Sequence, residues 1–277
     1  MAPPPDMAPP PDMEGLIVFE PVSSPKWFVP SVTQDPWRPP GRLKLRPQAG
    51  SNTDWGYTET VTFHFRTRFI TATATEHSEI HPNVVLLQVH PSVTERRVQR
   101  AVHLLPPPLR ARFEASFPEW SLPSRLVLKK YKEGWDKEFD TEKAVYKKLK
   151  RLQGIVVPKC YGELKYKGTR ALLLSDIGGE NLATPEGALL EATDLGRMLH
   201  DAFTALAQFR ISQNDMTLDN FHVVGDKIMI LDLEMVNENV PSERLALFNK
   251  SHVDHLTEDY EHNQYRFYVN GDIMLDA

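Results

Sequence analysis

The segment that decides the fold is ISQNDMTLDNFHVVGDKIMILDLE, residues 211–234. It contains two short apolar runs, residues 221–224 and 228–231, which the triplet Gly-Asp-Lys at 225–227 separates. A glycine next to an aspartate between two such runs is typical of a tight β-hairpin turn. The segment therefore predicts two antiparallel strands that are joined at residues 225–227.

Polar residues lie at the open end of this predicted hairpin. Pairing centred on Asp226 would place Asn220 opposite Asp232. Carboxylate and amide oxygens are the hard donors that suit Mg²⁺ bridging a polyphosphate. Asp215 precedes Asn220 by five residues, in a loop where an acid can accept a proton from a substrate hydroxyl. The segment therefore predicts Asn220 and Asp232 as metal ligands and Asp215 as a catalytic base.

The upstream sequence predicts a strand over residues 125–131 and a helix over 136–152. Glu142 falls on the apolar face of that helix. An unpaired buried carboxylate would cost several kcal/mol, so a cation has to reach it. The nearest candidates are Lys129 and Lys130 on the preceding strand. The alternative is a glutamate at the helix edge that extends into water.

The chain resembles the protein-kinase-like superfamily in these motifs. Asp215 and Asn220 match the D-x-x-x-x-N of the kinase catalytic loop, and Asp232 matches the metal-binding aspartate that follows it. The resemblance covers residues 125–240 and is closest to divergent fungal kinase-like proteins that carry V-L-K, C-Y-G, L-D-N-F and L-D-L-E. It implies ATP and Mg²⁺ as cofactors.

The resemblance also implies roles for residues on the upstream strand and helix. Lys129 would pair with Glu142 and hold the α- and β-phosphates, so that both join Asp215 in the catalytic set. Lys130 remains an alternative to Lys129, because a shift of one residue turns a strand side chain to the opposite face. The implied nucleotide-binding residues are Val127, Lys129, Leu174, Ser175, Asp176 and Ile177.

The fold implied by the resemblance is α+β and two-lobed, as in protein kinases. We expect a disordered proline-rich tail over residues 1–55, an atypical β-rich N-terminal lobe over 56–175, and a minimal, truncated helical C-terminal lobe over 176–277. Thirteen of the 23 prolines lie before residue 48, so the tail could bind a partner that recognises polyproline II helices.

The sequence departs from the kinase pattern at three places. No glycine occurs between Gly56 and Gly134, where a glycine-rich loop would cover the phosphates. Gln213 replaces the histidine of the catalytic loop, and Glu234 replaces the glycine that usually follows the metal-binding aspartate. The N-D pair before the loop and the D-x-E after it are similar to choline-kinase-like and aminoglycoside-phosphotransferase-like enzymes, which act on small molecules.

Three functions follow from these observations. The first is an ATP- and Mg²⁺-dependent phosphotransferase that acts on a hydroxyl of a protein or a small molecule. The second is a pseudokinase, a kinase-shaped binding or scaffold protein, which the missing glycines favour. The third is a metal-dependent hydrolase built on Asp215, Asp232 and Glu234, in which Lys129 and Glu142 would have no role.

Composition restricts the remaining possibilities. A net charge of -5 argues against a nucleic-acid partner, and no run approaches the ~20 apolar residues of a membrane span. A single cysteine indicates a reducing compartment, so we expect a cytoplasmic or nuclear protein. A set of histidines and acids between residues 252 and 262 is interpreted as a solvated segment rather than a metal site.

Alternating apolar residues and helical spacing predict the other elements. Residues 61–69 are interpreted as one half-buried strand, and residues 84–89 as a second strand. A short helix is predicted over residues 109–117 and a long helix over 186–208.

Overall fold

The computed structural model of the protein describes residue 39 and residues 41–47, 57–76 and 81–276. Contacts between Cα atoms group Pro36–Ala277 into one compact unit. The predicted tail, residues 1–55, lies outside the described residues except for residue 39 and residues 41–47. The described residues have a mixed α+β fold, as predicted, whereas the division into two lobes stays a prediction.

The strands and helices have the following bounds. The β-strands of the described ranges are β1 (Leu43–Leu45), β2 (Thr58–Phe65), β3 (Arg68–Glu76), β4 (Val84–Val89), β5 (Arg125–Lys130), β6 (Cys160–Tyr166), β7 (Thr169–Ser175), β8 (Glu180–Asn181), β9 (Ile211–Gln213), β10 (Phe221–Val224), β11 (Lys227–Ile230), β12 (Val236–Glu238) and β13 (Ile273–Leu275). The α-helices are α1 (Val93–His103), α2 (Pro107–Ser116), α3 (Asp136–Lys148), α4 (Ala192–Ala207) and α5 (Ser242–Asn270).

A six-stranded antiparallel sheet in the order β2-β3-β4-β5-β7-β6 forms one part of the fold. Strand β7 is buried on both faces. On β7, Leu173 packs into an apolar cluster on one face, while Leu172 and Leu174 join a second cluster that includes α3 and α4. A strand covered on both faces has a continuous apolar run, and Leu172, Leu173 and Leu174 form such a run.

Helices α4 and α5 and the β10–β11 hairpin form the other part. Helix α5 buries Leu256 and Tyr260 together with the polar side chain of Gln264. The Gln264 amide nitrogen donates to the carbonyl oxygens of Ala188 and Leu190, at 2.9 and 2.7 Å. Because its buried face is partly polar, α5 lacks a clear apolar stripe, and the sequence did not predict it.

Several predicted elements require correction. Residues 61–69 form a hairpin rather than one strand: Arg66 has a φ of 53° at the turn, Ile70 is buried and Phe69 is 73% exposed. The long helix begins at residue 192, not 186, and α1 was not predicted. Within the predicted tail, β1 pairs with β13. The strand at 84–89 is confirmed.

No helix of the described ranges is long and apolar enough to cross a membrane.

Candidate active site

The β10–β11 hairpin has a different register from the predicted one. Phe221 pairs with Ile230 and the turn contains two residues, because Gly225 adopts a φ of 64° and closes it tightly. Leu231, whose N–H donates to the Asn220 carbonyl oxygen at 3.0 Å, therefore lies opposite Asn220. The predicted pairing of Asn220 with Asp232 was wrong by one residue. The metal-ligand hypothesis now rests on the donor atoms and the resemblance, not on the register.

Asp215 and Asn220 belong to one hydrogen-bonded loop between β9 and β10. The Thr217 hydroxyl donates to Asp215 Oδ1 at 3.0 Å, and Asn220 Nδ2 donates to the same hydroxyl at 2.9 Å. The Asn220 Oδ1 atom is thus left as an acceptor. A single threonine links the predicted base to the predicted metal ligand and sets their spacing.

Gln213 connects this loop to the segment that carries Asp232. Its side chain is fully buried on β9, where Gln213 pairs with Val236 of β12. Its Nε2 donates to the Asp232 main-chain oxygen at 2.6 Å. The glutamine that replaces the kinase histidine therefore holds the main chain at Asp232.

Lys129 lies at the centre of a buried ionic cluster. Its Nζ is 2.9 Å from Glu142 Oε1, 3.1 Å from Asp232 Oδ1 and 3.1 Å from Glu234 Oε1. Lys129 and Glu142 are 6% and 0% exposed, so water does not solvate either charge. The predicted Lys129–Glu142 pair is thus present in the structure. Lys130 instead faces a different cavity with Tyr166 and Lys167.

A second lysine completes the cluster. Lys132 Nζ lies 2.8 Å from Glu234 Oε2 and 4.7 Å from the centre of the Trp135 ring. Two lysines therefore face three carboxylates, which leaves one excess negative charge when all are ionised. Sequence reasoning missed Lys132, because it follows the end of β5 and its partner is 102 residues away.

The cluster shifts the pKa values of its members in opposite directions. Burial alone would lower the pKa of Lys129, but the surrounding carboxylates outweigh burial and raise it. Burial would raise the pKa of Asp232, yet Lys129 and the N–H of Glu234 hold it below the ordinary value. For Glu142, burial dominates over Lys129 and raises the pKa to about 7. Its Oε2 is buried without a hydrogen-bond partner.

The shifted pKa of Glu142 predicts that stability falls as pH rises. Between the ordinary carboxyl pKa of 4.5 and about 7, the folded protein keeps a proton that the unfolded chain has released. The stabilisation is complete below this window and is lost above it. Urea unfolding in EDTA between about pH 5 and pH 8 should show a decline in wild type relative to Glu142→Gln. If the unfolding free energy of both proteins changed with pH in the same way, a raised pKa of Glu142 would be contradicted.

The predicted nucleotide-binding residues lie along β5 and the end of β7. Val127 pairs with Leu174 across the two strands, so these two apolar side chains are neighbours. The Ser175 hydroxyl accepts a hydrogen bond from the Lys159 N–H at 2.9 Å, and Asp176 forms an ion pair with Arg125 at 2.8 Å. Leu174 and Ser175 end β7, and Asp176 and Ile177 begin the connection of residues 176–179 that leads to β8 in another sheet.

The connection that ends at β4 lies beside Lys129. Val84, the first residue of β4, pairs with Lys129, and the Lys130 N–H donates to the Asn83 oxygen at 2.7 Å. His81 Nε2 is 3.7 Å from Asp219 Oδ2 in the loop that carries Asn220. Residues 81–83, which are His, Pro and Asn, thus precede β4 in the part of the chain where the sequence lacks the glycines of the kinase pattern.

The described residues contain no group of three or more His, Cys, Asp or Glu side chains arranged to hold a metal ion. The histidines and acids of residues 252–262 lie on α5. His252 is only partly solvated, because its ring stacks near Phe248 and packs edge-on against Phe203. The segment is therefore partly packed at His252 and not solvated along its whole length.

Part of the chain is similar to a known protein family. The model of the phosphotransferase enzyme family (APH) matches residues 110–224, less than half of the chain. The matched region contains Lys129, Glu142, Asp215 and Asn220 but ends before Asp232. A search of curated proteins found no significant match. The family match supports a relationship to the kinase-like phosphotransferases.

Proposed function

We propose that the chain is an ATP- and Mg²⁺-dependent phosphotransferase of the kinase-like type. It would transfer the γ-phosphate to a hydroxyl of a protein or a small molecule. The observation that carries the proposal is the buried contact of Lys129 with both Glu142 and Asp232, residues that are far apart in the chain. An enzyme that binds a polyphosphate needs a fixed lysine next to a metal-binding acid, and the same acid is linked through Gln213 to the loop of Asp215.

In this proposal the six-stranded sheet supplies the nucleotide-binding residues. Val127 and Leu174 would pack against the adenine, and the main chain of residues 175–177 would form hydrogen bonds with its edge. Lys129 would hold the α- and β-phosphates while Glu142 fixes its position. The sheet and the helical part would act as the two lobes of a kinase-like fold.

The donor set fits a magnesium ion. Asp232 has its pKa lowered, so it is an anionic oxygen donor, and the Asn220 amide has an oxygen left to accept. Above about pH 7, where Glu142 is ionised, the excess negative charge of the cluster also favours a cation. When bound with the nucleotide, Mg²⁺ supplies neutralisation of phosphate charge. Asp232 and Asn220 would hold it.

Asp215 would position the acceptor. Its carboxylate would accept a proton from the acceptor hydroxyl, and the Thr217 hydroxyl would hold the carboxylate in place through Oδ1. The similarity of the D-x-E segment to enzymes acting on small molecules, together with the match to the phosphotransferase enzyme family, favours a small hydroxylated acceptor over a protein.

One observation favours a kinase-shaped binding protein instead. Glu234 contacts both Lys129 and Lys132, and so occupies the two cations that phosphates would need. Nucleotide binding therefore requires Lys129 to exchange a carboxylate for a phosphate. If the exchange is unfavourable, the protein would keep its fold without binding ATP.

Transfer of the γ-phosphate is tested by measuring ADP formation from ATP in the presence of Mg²⁺. The acceptors are a set of small hydroxylated compounds and of proteins. We expect acceptor-dependent ADP formation that Asp232→Ala abolishes. Asp226→Ala is a matched control, since this exposed aspartate lies in the hairpin turn away from the cluster. Binding of Mg²⁺ and ATP without any turnover would support the binding protein and contradict the enzyme.

His81→Ala should weaken nucleotide binding more than turnover. The His81–Asp219 contact holds His81, shortly before β4, against the loop of Asn220, where phosphates would lie under the proposal. A partly exposed polar contact contributes at most about 1 kcal/mol, so we expect KM for ATP to rise about three- to fivefold with kcat little changed. Kinetics of His200→Ala, an exposed histidine on α4, provide the control. An unchanged KM in His81→Ala would contradict this role.

A further inference from the structure

Helices α1 and α2 lie in the connection between β4 and β5, two strands that pair directly with each other. Strands paired in this way can be joined by a short turn. The helices are therefore not needed to connect the sheet, and the proposed catalytic chemistry uses none of their residues.

This helical connection is poorly covered by the rest of the described chain. Helix α2 buries none of its residues, and α1 buries only Glu95 and Val102. Its exposed apolar side chains are Val93, Leu104, Leu109 and Phe117, with exposures of 57, 87, 54 and 46%. Most of a helix's stability in a protein comes from packing of an apolar face, so an uncovered helix with apolar side chains indicates a binding surface.

The base of the connection is nevertheless firmly anchored. Arg68 of β3 forms an ion pair with the buried Glu95 and donates through Nη1 to the Glu119 carbonyl oxygen at 2.9 Å. Its guanidinium lies 4.2 Å from the centre of the Trp120 ring. Thr67 also donates to Glu119, at 2.7 Å. These contacts hold the first turn of α1 and the segment that follows α2, so that both ends of the connection are fixed and offer a preformed surface.

The exposed side of the helices carries an unbalanced positive charge. Arg96, Arg97 and Arg100 follow one another along α1, and α2 adds Arg110 and Arg112. In the described part of the chain, no carboxylate lies within ion-pair distance of these five arginines. Arg96 and Arg100 line a cavity of about 380 Å³ with His103 and a single acidic residue, Glu114. Like charges four residues apart destabilise a helix, so the cluster is best explained by an anionic partner.

We propose that this arginine surface, formed by the five arginines with Leu104, Leu109 and Phe117, binds an acidic amphipathic segment of another protein. Charge complementarity requires an anionic partner, and the exposed leucines and phenylalanine require apolar side chains in it. A nucleic acid would use the arginines but not the leucines, and the net charge of -5 would repel it at longer range.

Fluorescence anisotropy tests the proposal with the full chain and a labelled helical peptide of glutamate and leucine, about 15 residues long. At about 0.15 M ionic strength, Arg97→Glu/Arg100→Glu should raise the Kd at least about tenfold. Lys150→Glu/Arg151→Glu, exposed residues beyond α3, makes the same change in net charge and should alter the Kd less than about twofold. Leu104→Ser/Phe117→Ser should also weaken binding.

Other outcomes would overturn the proposal. One is failure of the peptide to bind at about 1 mM protein, and another is an equal rise of the Kd for the peptide in the arginine and lysine–arginine charge reversals. A Kd unchanged by Leu104→Ser/Phe117→Ser would also contradict the proposal. Tighter binding of a single-stranded DNA 15-mer than of the peptide, lost in the arginine variant, would assign the surface to nucleic acid. Hydrogen exchange gives a second readout: the peptide should protect residues 93–117, and protection confined to other segments would contradict the proposed location.

Discussion

Lys129→Met should lower the free energy of unfolding by about 3–5 kcal/mol, because it removes the cation that contacts the carboxylates of Glu142 and Asp232. Glu142 is fully buried and would lose its nearest cation. The loss should be smaller at low pH, since Glu142 can then take up a proton. Urea unfolding at two pH values measures both effects.

Two control variants test whether the loss of stability in Lys129→Met comes from the buried ionic cluster. Lys130→Met, on the adjacent residue of β5, should change the unfolding free energy by less than about 0.5 kcal/mol. Lys129→Met/Glu142→Leu should recover much of the stability, because an apolar pair can replace a buried ion pair, but it should not recover activity. Full activity in this double variant would exclude Lys129 from phosphate binding.

Asp215→Asn should lower kcat by about 10²- to 10⁴-fold, the usual contribution of a positioned general base. Asparagine has the same shape and can still accept the hydrogen bond from Thr217, so the loop should keep its conformation. The unfolding free energy should change by less than about 0.5 kcal/mol. ADP formation at saturating ATP and acceptor measures kcat, and urea unfolding provides the stability control.

A different result for Asp215→Asn would change the mechanism. If kcat falls less than about threefold, proton transfer by Asp215 does not contribute to the transition state. If stability falls together with kcat, Asp215 has a structural role in the loop. A rise in KM for the acceptor alone would limit Asp215 to binding.

The parts of the site that follow from local pattern were predictable from the sequence. A carboxylate on an apolar helix face has to meet a cation, and this requirement is enough to indicate Glu142 and a lysine of β5 as partners. The glycine-containing turn also predicted the hairpin. Its register failed because the turn could contain two or three residues, and only the φ of Gly225 selects two.

The parts that depend on distant contacts were not predictable. Glu234 and Lys132 meet across about 100 residues of chain. His81 reaches Asp219 only because β4 pairs with β5. Helix α5 was not predicted because its buried position 264 holds a glutamine, which donates to two main-chain oxygens. A leucine at this position would have extended the apolar spacing that indicates a helix. Each of these contacts is polar, and the periodic spacing of apolar residues does not reveal such contacts.

Asp232 and Lys129 belong, under the proposal, to a site for Mg²⁺ and ATP. Thermal unfolding with millimolar ATP, with and without Mg²⁺, tests it most directly on wild type and Asp232→Ala. A nucleotide present at about 100 times its Kd adds about 2.7 kcal/mol to the unfolding free energy, enough to raise Tm by several degrees. We predict a Mg²⁺-dependent rise in wild type that is absent in Asp232→Ala. No rise of Tm in wild type, or an equal rise in both proteins, would contradict a site for Mg²⁺ and ATP at Asp232.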